Sequence, residues 1–141
     1  MRELKFRGKR LDNGEWAYGY LVELFTEVGE RYVIDACRHF DRDNYSLDAV
    51  EVDPQTVGEY TGLKDKNGKE IYEGDIFPCT YVLDGHKDHV YAVAYDLEVA
   101  GFRLEHYGAI CPQTHVVQSI RDVSRFNACL GNIYENPELL E

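Results

Sequence analysis

Two histidines three apart, in His86-Lys87-Asp88-His89, are the spacing in this chain closest to metal chemistry. With Asp84 and Asp88 nearby they could hold a divalent cation if the segment were helical, where residues three apart share a face. The segment instead contains Gly85 and falls between strand-like runs, so it reads as a solvated loop with no third ligand in evidence. Asp41-Arg42-Asp43 offers a carboxylate pair for magnesium, but no glycine-rich phosphate cradle accompanies it. Cys37, Cys79, Cys111 and Cys129 are scattered and contain no Cys-x-x-Cys pair that would preform half a zinc tetrahedron. Cys111 and His115 are close in sequence, yet thiol–imidazole pairs are made by the fold and not by adjacency. Ser46, Ser119 and Ser124 sit in no nucleophile elbow. Glu70, Glu73 and Asp75 form a carboxylate cluster that could do acid–base work if desolvated, although charged turns of soluble proteins look the same. The reading is of a non-enzymatic protein with no catalytic residues, no metal site and no cofactor.

Composition narrows the classes further. A hydrophobic fraction of 44% over 141 residues suffices for a real core, which argues against disorder. Eleven tyrosines suit half-buried strands and interfaces, since the ring packs while the hydroxyl stays wet, and strand packing is the plainer of the two explanations. The net charge of −11 repels polyphosphate and anionic membrane, so general nucleic-acid binding is disfavoured. Within the first eleven residues, however, Arg2, Lys5, Arg7, Lys9 and Arg10 stand against Glu3 alone. That basic end is what a protected edge strand carries, or an arm that touches an acidic neighbour. No apolar run is long enough to span a bilayer, and the charged N-terminus is no signal peptide. The expectation is a cytoplasmic protein with free thiols.

The elements that would position these residues are mostly strands. Glu15–Leu24 alternates with period two, placing Trp16, Tyr18, Tyr20, Val22 and Leu24 on one face. Asp12-Asn13-Gly14 before it is a turn, because Asn-Gly accepts the positive φ of a tight hairpin, and Leu4–Arg7 becomes the other arm. Glu30–Cys37 reads as a third strand, Arg38–Leu47 as an irregular acidic excursion and Ala49–Val52 as a short strand. Pro54 cannot donate to a ladder, so Asp53–Gly58 is the seam between two lobes, 1–57 and 58–141, expected to pack as one unit. Beyond it, Lys66-Asn67-Gly68 and Glu73-Gly74-Asp75 are reversals, and Ile76–Leu83, His89–Tyr95 and Gly101–His106 are strands. The middle one is apolar on both faces and therefore central. Val116–Phe126 fits a short helix or a further strand, Ala128–Tyr134 a closing strand, and Pro137 starts a last helical turn. The expected fold class is mainly β with little helix: an N-terminal antiparallel sheet plus a C-terminal small SH3-like barrel.

Three separated segments carry a family likeness. They are Arg2-Glu3-Leu4-Lys5-Phe6-Arg7-Gly8, the block Gly58–Ile76 with its run Tyr60-Thr61-Gly62-Leu63-Lys64-Asp65, and Gly131–Leu140. In this order they resemble the YopX family of phage and prophage proteins. The resemblance marks Tyr60, Thr61, Gly62, Asn67, Gly68, Ile71, Tyr72, Gly74, Asp75, Ile76, Gly131, Asn132 and Tyr134 as motif positions. By residue type they read as structural: glycine for backbone angles, aromatic and aliphatic residues for packing. The resemblance implies a bacterial host cytoplasm and a phage accessory protein, but no defined activity. Three functions follow as expectations. The first is a protein-binding module that self-associates. The second is a nucleic-acid-linked role, either weak DNA or RNA binding or acidic mimicry of DNA against a host protein. The third, ranked last, is an enzyme on a small substrate that would use Glu70, Glu73 and Asp75 in the glycine-rich turn region.

Overall fold

The computed structural model describes residues 3–36, 49–79, 89–108 and 119–141. They form two compact units, Met1–Tyr60 and Thr61–Glu141, and the class is mainly β, with two antiparallel sheets and one α-helix.

In the first unit, β1 (Phe6–Lys9), β2 (Trp16–Thr26), β3 (Gly29–Asp35), β4 (Ala49–Glu51) and the start of β5 (Gly58–Lys64) lie in the order β4-β3-β2-β1-β5. The Asn13-Gly14 turn joins β1 to β2, with Arg10 N donating to Glu15 O at 2.9 Å. The first arm of that hairpin is Phe6–Lys9, two residues later than the expected Leu4–Arg7. Lys9 is held in place from both sides: its N–H donates to Thr56 Oγ1 at 2.8 Å and its carbonyl accepts from Asp53 N at 2.8 Å. In the register Leu21, Ile34 and Val50 stand side by side, and Ile34 and Val52 are fully buried. That apolar contact is the unit's core. Cys37 and the Arg38–Leu47 excursion lie outside the described residues.

In the second unit the rest of β5 continues beside β6 (Glu70–Tyr72). A four-stranded sheet holds β7 (Asp75–Pro78), β8 (Val90–Asp96), β9 (Gly101–Tyr107) and β10 (Gly131–Asn132) in the order β10-β7-β8-β9. β8 is an inner strand, as its two apolar faces require. Val116–Phe126 resolves, over its described part, into α1 (Ile120–Phe126). Ile120 and Val123 are one helical turn apart and enter the core with Ile71, Phe77 and Val93. Ser119 caps the helix, its Oγ accepting from Asp122 N at 3.2 Å. Each of the large buried side chains contributes about 1.5–3 kcal/mol by leaving water.

Two expectations are corrected. The C-terminal SH3-like barrel is an open sheet among the described residues, with β10 and β9 as its outer strands and β5–β6 paired apart from it. Closure needs strands long enough to tilt and stagger around an axis, and β10 has two residues. The expected Ala128–Tyr134 strand is cut to Gly131–Asn132 because Asn132 Oδ1 accepts from Tyr134 N and Glu135 N, both at 3.0 Å. Such an asparagine turn offers the backbone an alternative to the ladder.

Candidate functional site

The motif positions of the second unit, far apart in sequence, come together. Gly131 pairs with Ile76 and Asn132 with Asp75, so the terminal block is the strand neighbour of the central block. Thr61 is buried and its Oγ donates to Ile71 O at 2.9 Å while accepting from Leu63 N at 3.2 Å. Asp75 is wholly buried and its Oδ2 accepts the Tyr72 N–H at 2.9 Å, while the Tyr72 hydroxyl donates to Glu70 Oε2 at 2.8 Å. Gly74 between them has φ of 81°, a region that favours glycine, and an added Cβ would stand 3.0 Å from the Tyr134 ring. Its N–H donates to Val93 O and its carbonyl accepts from Ile133 N, both at 2.8 Å. Gly62 has φ of 83°, Asn67 and Gly68 make the exposed turn, and Tyr60 is buried in the first unit with its N–H on Lys5 O.

The centre of this network is a residue that the sequence shows only as the end of the Tyr60–Asp65 run, outside the motif positions. Asp65 is 7% exposed, and its carboxylate accepts three backbone N–H groups: Asn67 at 2.9 Å, Lys69 at 3.0 Å and Cys129 at 3.0 Å. Burial pushes its pKa up, but the three donors and the Lys69 charge outweigh burial and hold it below the usual carboxylate value. The signal was an aspartate two residues before Asn-Gly, the spacing of an aspartate turn. Asp65 and Asp75 thus accept backbone N–H groups, Glu70 accepts a phenol hydroxyl and Glu135 accepts the Asn132 side-chain amide at 2.9 Å.

Cys129 belongs to the same region. Its thiol donates to Gly131 O at 3.1 Å, and burial, with the Asp75 charge adding, raises its pKa. Thiolate supply is therefore low, and Cys129 should react with a maleimide or aromatic disulfide about tenfold or more slowly than a free cysteine peptide at pH 7.5. Peptide mapping after timed labelling reads this directly, and labelling of Cys129 at the free-peptide rate would contradict its burial.

Among the described residues no group of three or more His, Cys, Asp or Glu is placed to hold an ion. His89 is buried and stacks on His106 with centroids 5.2 Å apart, and Tyr91 meets His106 edge-on. Burial, then the charge of His89, pulls the His106 pKa down. His86 and Asp88, Asp41 and Asp43, Ser46, Cys111 and His115 lie outside the described residues. Ser119 caps α1, and Ser124 Oγ donates to Arg121 O at 3.2 Å.

A different feature lies at the surface. Among the described residues β1 covers β2 only from Trp16 to Gly19, and β4 covers β3 only from Val33 to Asp35. From Val22 to Tyr32 the β2–β3 hairpin therefore runs on as a two-stranded ribbon, turning at Glu27-Val28. Tyr18, Tyr20, Val22 and Leu24 are exposed along one face, and Phe25 and Val28 near the tip are 76% and 80% exposed. The tyrosines expected to pack are thus in part displayed. Internal ties are few: Tyr32 hydroxyl donates to Glu23 Oε1 at 3.1 Å and Thr26 Oγ to Gly29 O at 2.7 Å. At the ribbon's root the Arg7 guanidinium and Lys9 ammonium lie over the Trp16 ring, at 4.7 and 5.5 Å. Leu4, Lys5, Tyr18, Tyr20 and Ala36 border a cleft of about 380 Å³ there.

Among the described residues no helix is long and apolar enough to cross a membrane. No curated protein matches the chain. The crystal structure of protein EF1440 from Enterococcus faecalis is similar over 100% of both chains, with 24% identity and a TM-score of 0.59, a likeness of fold. The YopX protein family model matches residues 5–141, so the arrangement of Asp75, Gly131 and their neighbours described above is that of a member of the YopX family.

Proposed function

We propose that the chain is a non-enzymatic protein-binding module that works through its β2–β3 ribbon. The observation that carries this is the display of Leu24, Phe25 and Val28 on a hairpin with no covering strand among the described residues. A two-stranded ribbon standing alone in water is marginal, and exposed apolar rows of this kind mark contact surfaces. Tyrosine along the same face adds area at little entropic cost, as binding surfaces use it. The surrounding glutamates keep the surface wettable and repel nucleic acid, which favours protein as the partner.

The test measures protein association of any kind, with the chain's own copies or with a polypeptide of a bacterial lysate. The wild type should associate, and Phe25→Glu should weaken association about tenfold or more by placing a charge in the contact while leaving the far-ultraviolet spectrum unchanged. Association that is indifferent to Phe25→Glu, or absent altogether, would defeat the reading.

A further inference from the structure

The outer edge of β2 identifies the partner more closely. From Val22 to Thr26 this strand is hydrogen-bonded on the β3 side only among the described residues. Every other residue there points its N–H and C=O outward, which is a template for another strand. Edge strands of natural proteins are ordinarily guarded by charged side chains, lysine above all, or by proline, and Val22-Glu23-Leu24-Phe25-Thr26 has Glu23 alone of these.

We propose that this edge pairs antiparallel with the same edge of a second copy, about a two-fold axis at Leu24. The proposal rests on the protein-binding reading above and names its partner. Three observations converge on it. The free stretch Val22–Thr26 has Leu24 as its midpoint, so two copies overlap fully only when centred there. Centring on Glu23 would set Glu23 against itself, and centring on Phe25 would set Glu23 against Glu27, both like-charge oppositions. The Leu24 register instead sets Val22 against Thr26, Glu23 against Phe25 and Leu24 against Leu24, with no opposed charges. Centring on Val22 collides with Gly19 and its neighbours, already paired to β1.

The charges of the two ends agree with this geometry. The ribbon's far end carries Glu23, Glu27 and Glu30 against Arg31, and the edge beside Tyr20, where it begins, carries Lys5 with Glu3. An antiparallel two-fold sets Glu27 against Leu21 and Val28 against Tyr20, which brings Glu27 of each copy toward Lys5 of the other. Glu27 and Val28 then arrive beside the other copy's cleft at Glu3, Leu4, Lys5 and Tyr20. The contact is isologous, so it closes at two copies.

Sedimentation velocity should show the 16.3 kDa chain converting to a species of twice that mass as concentration rises. A contact of five paired residues a side plus two tips is at the small end of specific interfaces, so the midpoint is expected at roughly micromolar concentration. Leu24→Lys, which sets two ammonium groups on the axis, should leave a monomer with the wild-type spectrum. Leu24→Cys adds a readout that does not depend on loss. Only a residue on the axis meets its own copy, and a disulfide needs Cα atoms about 4.4–6.8 Å apart, so Leu24→Cys should cross-link at least about tenfold faster than Phe25→Cys. A wild type that stays monomeric at 100 times that concentration, or equal cross-linking of the Leu24→Cys and Phe25→Cys variants, overturns the proposal. If that monomer still retains a lysate protein through Phe25, the binding reading survives without this partner. If it retains none, both fall.

Discussion

Asp65→Ala should destabilise the second unit by about 3–5 kcal/mol, the largest loss expected from a single polar substitution here. The carboxylate takes N–H groups from Asn67, Lys69 and Cys129, and the last of these lies 64 residues away. It therefore ties the Lys66–Lys69 turn to the chain entering β10, and its removal leaves three amides competing for poorly placed water. Lys66 N on Asn127 O at 3.3 Å, the neighbouring tie, is long and cannot substitute for it. Asp65→Asn should recover part of the loss, since one oxygen still accepts but the amide nitrogen faces a donor. Urea unfolding with an unchanged m-value would read both effects, and a midpoint within about 1 kcal/mol of wild type for the alanine variant would refute the tie.

The same residue fixes a pH dependence. Its folded pKa lies below the unfolded value of 3.8, so its contribution is complete above pH 4 to 5 and disappears as pH falls through the folded value. Wild type should therefore lose stability below about pH 4 more steeply than Asp65→Ala does. Parallel acid limbs for the two proteins would remove Asp65 as a source of that dependence.

Local chemistry made much of this architecture readable in advance. The period of two in Trp16–Leu24, the Asn-Gly pairs at Gly14 and Gly68, and the reversal at Gly74 all became the elements they implied. What stayed hidden was long-range. Asp65 sits in Lys-Asp-Lys-Asn-Gly-Lys, which reads as a wet turn, and nothing local announces the Cys129 amide that buries it. Alternation placed Tyr18 and Tyr20 on one face but could not say whether that face would be covered, because covering is done by other segments. The barrel failed for a similar reason: the reversal at Asn67-Gly68 was legible, but not which sheet the segments it joins, β5 and β6, would enter. Asn132 ended β10 through its own side chain, a competition that a propensity reading of Ala128–Tyr134 passes over.

Gly19→Ala should cost about 3 kcal/mol or more, for a steric reason that separates it from the turn glycines. Gly19 pairs with Phe6 of β1 and comes just before Tyr20, which pairs with Asp35 of β3. An added Cβ would overlap the Asp35 carbonyl oxygen, lie 2.7 Å from its carbon and 3.1 Å from the Ala36 Cα. These are backbone atoms, so no rotamer change relieves the clash and β3 must move away from β2. Because β3 carries Ile34 into the core and forms half of the ribbon, the displacement should lower both stability and association. Gly14 is the control: its φ of 71° lies where asparagine is tolerated, and an added Cβ would meet nothing within 4 Å. Gly14→Asn should therefore melt within about 2 °C of wild type, whereas Gly19→Ala should fall by roughly 10 °C. Equal melting temperatures for the two variants would show that β2 and β3 are not as close at Gly19 as the hairpin register requires.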